Sequence, residues 1–137
     1  MNITNVIYWV TRIIAALIMV QTLYFKFSAS PESVYIFTTV GMEPWGRIGV
    51  GIAELIAAGL LLVTATAWLG AALGLGLMAG AIGMHFTLLG IEVQGDKGYL
   101  FFLALSVAVC SLYVLWYDMD KVQAAIRKLA KRKSSPN

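Results

Sequence analysis

Two long stretches without a single Asp, Glu, Lys or Arg constrain this chain more than any other feature. One runs from Leu55 to Ile91, the other from Gly98 to Tyr117. Before Lys26 the only charged residue is Arg12. About 20 apolar residues suffice to cross the hydrocarbon core of a bilayer, so the gaps between charges mark membrane spans. Composition agrees. The chain is 60% hydrophobic and 12% charged, whereas a soluble domain carries roughly 25% charged residues. A water-soluble globule is excluded, and 137 residues leave room for one domain and at most about five spans.

Four spans follow, near 6–27, 45–64, 67–91 and 98–117. The expected fold is an all-α membrane four-helix bundle. The stretch 45–91 is too long for one crossing and divides at Thr64-Ala65-Thr66. Ser30-Pro31-Glu32 offers a capping serine, a proline at the first helical position and an acid in the first turn. Val34, Phe37 and Val40 then share a face, and Gly41 can end the helix. This predicts a short outer helix over 31–40 on the bundle mouth, either a lid or a connector. Pro44 can start the next helix.

Orientation comes from positive charge in short loops and tails. Residues Asp118 to Lys133 hold six basic and two acidic side chains. That end is expected in the cytoplasm, as a basic amphipathic tail over 118–137 with Val122, Ile126 and Leu129 on one face. Its expected partner is the anionic inner leaflet of the lipid bilayer rather than nucleic acid. Ser134 to Asn137 are expected to fray. Four spans put the N-terminus inside as well, and a bacterial-type inner membrane is the expected location. The first segment lacks a basic n-region and carries Arg12 within a long apolar run, so it reads as a span and not as a cleaved signal peptide.

Gly70, Gly74, Gly76 and Gly80 form two GxxxG spacings in the third span. Small residues let helix backbones approach closely in lipid, which fits either a tight monomeric bundle or a homodimer face.

Charged groups in hydrocarbon are costly and suggest a site. With a rise of about 1.5 Å per residue, Glu54 lies about 13 Å below the outer face. His85 and Gln21 lie at about 9 Å and Ser106 at about 12 Å. Each span thus places a polar group in one layer, with Lys26 and Arg47 above it. Arg12 lies about 21 Å down, where its long side chain could snorkel or reach toward Glu54. Arg12, Gln21, Lys26, Arg47, Glu54, His85 and Ser106 are the candidate pocket residues. They can act as internal glue, or line an outward pocket for a quinone head group or another small polar or lipidic molecule. A proton-coupled transporter with Glu54 as proton carrier is the alternative.

Other chemistry finds no support in the sequence. One His and one Glu cannot complete a metal shell. The single cysteine, Cys110, excludes an internal disulfide or a CxxC dithiol. There is no haem or nucleotide motif, because Gly74-Leu-Gly76 sits inside a span and not in a strand-to-helix turn. No nucleophile–base pair is present, so the chain is not expected to be an enzyme on its own.

The order of these features resembles the DoxX-like family of small four-helix membrane proteins, over about residues 8–117. The resemblance is carried by Arg12, by Tyr24-Phe25-Lys26-Phe27, and by Gly-Met-Glu-Pro-Trp at 41–45. It also draws on Glu54 followed by Ala-Ala-Gly-Leu-Leu-Leu at 57–62, and on His85-Phe-Thr-Leu-Leu-Gly-Ile-Glu ahead of Gly98-Tyr99. It implies an accessory membrane subunit, with Arg12, Lys26 and Glu54 at recurring polar positions. Founding members of the family are membrane subunits of quinone-linked sulfur-oxidising systems, which implies a membrane redox partner. Two departures stand out. Trp116-Tyr117-Asp118 replaces the family's small-residue and acidic ending, and the dithiol of related redox-associated proteins is absent.

Overall fold

An apolar segment in hydrocarbon has no water to satisfy its peptide groups, so a single crossing must hydrogen-bond within itself as a helix. The computed structural model describes residues 2–134. All regular elements among the described residues are helical. They are α1 (Ile3–Phe27), α2 (Pro31–Thr39), α3 (Trp45–Leu62), α4 (Ala67–Met84), α5 (Tyr99–Tyr117) and α6 (Met119–Ser134). α4 continues as a wider, π-type turn over His85–Leu89. Four helical segments are long and apolar enough to cross a membrane: α1, α3, Thr64–Leu89 and α5. The chain therefore reads as a membrane protein. The expected fraying at the C-terminus falls on residues 135–137, outside the described residues, and Ser134 is still helical.

Local signals set the boundaries. The Ser30 hydroxyl accepts from the Ser33 N–H at 3.3 Å, with Pro31 behind it at the start of α2. Gly41, at φ +78°, takes the left-handed conformation that lets the chain leave α2. α3 and α4 are joined by one tight 3₁₀ turn, Thr64–Thr66. There the Thr66 hydroxyl donates to the Leu60 carbonyl at 3.0 Å, beside the Val63 N–H that the same carbonyl accepts at 3.3 Å.

Around the bundle the order is α1, α3, α4, α5, with α5 closing back on α1. Small residues make the centre: Ala15, Ala16, Ala57, Ala58, Ala67 and Ala71 are buried, with Met19, Leu61, Val107 and Val114 between them. Leu17, Ile52, Leu55, Ile56, Val109 and Leu112 point outward and are exposed, as the hydrocarbon-facing side of a span must be. α2 lies across one end of the bundle, against α1, α3 and the π-type turn. α6 leaves the other end with no buried residue, and Ile126 and Leu129 stay exposed beside its basic side chains.

The glycine stripe of α4 is not one face. Gly70 and Gly74 are buried inside the bundle, whereas Gly76 and Gly80 are exposed. At Gly70 a Cβ would come within 2.6 Å of the Ala57 carbonyl oxygen and the Leu61 nitrogen. Backbone meets backbone there, so Gly70 serves α3–α4 packing; Gly74 faces Ser111 of α5 and Met19 of α1, and neither glycine is available to a second copy. Gly70→Ala is expected to lower the thermal midpoint in detergent, by the roughly 1–3 kcal/mol that overpacking costs, although alanine is the better helix former. Gly76→Ala, whose Cβ meets nothing within 4 Å, is expected to leave the midpoint unchanged or raise it. Equal losses at the two positions would contradict this packing.

Candidate functional site

The four charged residues of α1 and α3 tie these two antiparallel helices together at two levels. At the α6 end, Arg12 is fully buried. Its Nε donates to the Leu61 carbonyl at 2.7 Å and its Nη1 to the Thr64 hydroxyl at 3.3 Å. The guanidinium carbon lies 4.0 Å from the Trp9 ring centroid and 4.9 Å from that of Tyr8. A cation held over aromatic faces and the partial negative charge of a helix C-terminus is favourable on both counts. This corrects the expectation that Arg12 reaches toward Glu54. The carbonyl end of α3 lies beside Arg12 and supplies orphan acceptors directly.

At the α2 end, Lys26 of α1 pairs with Glu54 of α3 at 3.0 Å. Thr22, one turn before Lys26, stands beside them: its hydroxyl donates to the Met19 carbonyl at 2.8 Å, accepts from Lys26 Nζ at 3.3 Å and lies 3.4 Å from Glu54 Oε2. Arg47 forms an ion pair with Glu43 at 2.9 Å and donates to the Lys26 carbonyl. It is buried in these contacts and does not line the hollow beside them, as its place at the rim had suggested.

That hollow is a cavity of about 480 Å³ at the α2 end of the bundle. Its walls are mostly apolar: Ile18, Met19, Leu77, Met78, Leu103 and Val107 line the body, and Ile36 and Phe37 of α2 close the end. The polar lining is sparse and placed on different sides. Gln21, Thr22, Lys26 and Glu54 come from α1 and α3, His85 from the π-type turn, Glu32 and Ser33 from α2, and Asp96 from the following loop. A volume of this size with few convergent polar groups is the usual form of a small-molecule site.

His85 is buried, with its ring 5.5 Å from Phe101 in an edge-on arrangement. A carbonyl can only accept, so Nδ1 donates to the Gly90 carbonyl at 2.8 Å, and Nε2 is the ring nitrogen left for other chemistry. The wider turn that carries it is of a kind found often at functional sites. Asp96 is held by three backbone donors: Val93 and Gly98 to Oδ1 at 3.0 and 2.8 Å, and Leu100 to Oδ2 at 3.1 Å. Burial works to raise this carboxyl, but the three N–H groups and the field of His85 outweigh it and hold it below the ordinary carboxylate value.

Of the seven residues expected at the site, Gln21, Lys26, Glu54 and His85 share the cavity wall. Arg12, Arg47 and Ser106 do not. Ser106 spends its hydroxyl on the Phe102 carbonyl at 2.9 Å, the i−4 back-bond open to any serine in a helix. α5 therefore adds only apolar wall, and the layer of polar groups has no member from it. Thr22 and Asp96 were missed. Thr22 lies four residues before Lys26 on one helical face, and Asp96 precedes Gly98 just ahead of a helix, the usual place for a capping acid. Both signals are in the sequence.

Comparison with protein-family models, with curated proteins and with solved structures finds no match to this chain.

Two outcomes follow from this geometry. Lys26→Met strands Glu54 in the wall and is expected to cost on the order of 3 kcal/mol, whereas the double variant with Glu54→Gln should cost less than the single one. Chemical or thermal unfolding in detergent measures both, and additive losses would refute the pairing. Because the folded Asp96 carboxyl is lowered, its contribution is present above the unfolded value of about 3.9 and fades as pH falls below it. Asp96→Asn should therefore remove part of the acid destabilisation seen below about pH 4. An unchanged acid limb would count against the three-donor cradle.

Proposed function

We propose that this is a multi-pass inner-membrane protein with both termini in the cytoplasm. It binds an amphipathic small molecule, a quinone head group or a lipid, in the cavity at its outer end. The Lys26–Glu54 pair set into a mostly apolar wall carries this reading. Burying an ion pair is not needed for stability, because apolar residues of similar volume do as well or better. In this reading Lys26 Nζ and the Gln21 amide would donate to ligand carbonyl or phosphate oxygens, and Glu54 and His85 would hold or exchange a proton. The apolar lining would take the rest of the molecule.

The DoxX-like resemblance extends the proposal to an accessory subunit beside a membrane redox partner. A proton-coupled transporter is the rival. It needs access from both ends of the bundle. At the α6 end the Tyr8 ring stacks on Tyr117 at 4.0 Å, Tyr8 donates to Asp118 at 2.6 Å, and Arg12 fills the space beside them. That plugged end favours binding over passage.

Native mass spectrometry of protein released from membranes by mild detergent is expected to show a co-purifying quinone or lipid. Glu54→Gln should keep the fold and weaken retention of added short-chain ubiquinone by about tenfold, the loss of one charge-assisted contact of about 1.4 kcal/mol. Wild-type protein that carries no small molecule and takes up neither quinone nor lipid would end the proposal. Proton-driven uptake by proteoliposomes, lost in Glu54→Gln, would favour the rival.

A further inference from the structure

Several residues of the cavity wall are also exposed on the outside of the bundle, and on α4 these are Gly76 and Gly80. A Cβ built on either meets no atom within 4 Å. Two turns or so toward the α6 end, the same helix is in hard contact with α3 at Gly70, where a Cβ would lie 2.6 Å from α3 backbone atoms. α3 and α4 thus touch beside their connecting turn, while Gly76 and Gly80, about 120° and 80° round the helix from Gly70, leave the adjoining flank of α4 uncovered. At about 100° per residue, Gly80 sits on the flank of α4 away from His85, whose ring meets Phe101 of α5. The opening on this helix therefore lies on its α3-side flank, and Val50 and Glu54 of α3 line the same cavity.

The end of the bundle is roofed. α2 lies against α1, α3 and the π-type turn with Ser33 and Phe37 buried beneath it. A volume of about 480 Å³ holds a head group but not a long acyl or isoprenoid chain. The chain of such a ligand must leave the cavity, and through water every methylene carries a cost.

We infer that the α3–α4 seam is a lateral door from the bilayer. An amphipathic ligand enters with its head at the Lys26–Glu54 pair, and its apolar chain runs out into lipid past Gly76 and Gly80. This rests on the cavity being the ligand site proposed above, and it adds the substrate class: a bilayer-resident molecule with a chain too long to be enclosed. Glycine at 76 and 80 is what keeps the seam open, since a larger side chain fills it without clashing with the fold. Gly83 supplies the control. It is exposed on the same helix with no atom within 4 Å of a Cβ, but it is not part of the cavity wall.

The test uses full-length protein in liposomes with Cys110→Ala and a reporter thiol on the cavity wall. Ala104→Cys is the first reporter and Leu103→Cys the second; both positions are buried and line the cavity. N-dodecylmaleimide dissolved in the membrane is expected to label the reporter faster than a sulfonated maleimide in water. Adding Gly80→Leu or Gly76→Leu should slow the membrane reagent about tenfold, as an added barrier of 1.36 kcal/mol does, with an unchanged thermal midpoint. Gly83→Leu should leave the rate alone. Equal rates across all three leucine variants, no labelling from the membrane, or faster labelling from water would each overturn the door. The readout needs no native ligand, so a protein that binds no quinone or lipid would sink the proposed function while leaving the labelling result to stand on its own.

Discussion

Hydrocarbon does not tolerate an uncompensated charge, and that constraint organises this molecule. α4 and α5 carry no Asp, Glu, Lys or Arg, so all charge inside the spans belongs to α1 and α3. Those four side chains are spent between the two helices. Arg12 reaches the carbonyl end of α3, Glu54 of α3 reaches Lys26, and Arg47 reaches the Lys26 carbonyl. Two ties at opposite ends fix both the height and the rotation of an antiparallel pair, which apolar packing alone would leave free to slide. With that pair set, α4 docks on α3 through Gly70, and α5 closes the ring on α1 through Tyr8–Tyr117 stacking and the Tyr113 hydroxyl on the Thr4 carbonyl.

The two ties also make the ends unlike. At the α6 end, aromatic rings, a buried guanidinium and the Tyr8–Asp118 contact fill the interior, and the exposed Lys121 pairs with Asp118 and donates to the Thr64 carbonyl at 3.1 Å. At the α2 end the tie is made by a lysine and a glutamate at the wall, and the centre stays hollow. α2 and the π-type turn are the elements that do not follow the simple span pattern, and both border this hollow. Structure that costs regularity has gathered on one side.

Much of the fold was legible because it follows from where charge is missing. The gaps gave the spans to within a few residues, Ser30-Pro31-Glu32 gave α2, and Thr64-Ala-Thr66 marked the turn between α3 and α4. The site was harder. Counting rise along each helix gives height but not direction, so Arg12, Ser106 and Glu54 looked alike as polar groups in a span. Their fates are set by what lies beside them: orphan carbonyls of α3 for Arg12, its own i−4 carbonyl for Ser106, and a lysine hanging back from the next turn of α1 for Glu54. The two glycine spacings fall on neighbouring faces of the span, and spacing alone does not say what each face meets. A spacing of four names a face, while the crossing of α3 and α4 decides that Gly70 is buried and Gly80 is open.

The claim beneath all of this is that Lys26 and Glu54 meet across α1 and α3 inside the bundle. Solid-state NMR on protein in lipid, with ¹⁵N at lysine Nζ and ¹³C at the glutamate carboxyl, measures that approach through their dipolar coupling. A separation of 3.0 Å between Nζ and Oε2 requires strong dephasing that disappears in Lys26→Met. A spectrum with no such coupling, or one unchanged by that substitution, would show that the two helices are held in some other way and that the cavity wall described here is not formed.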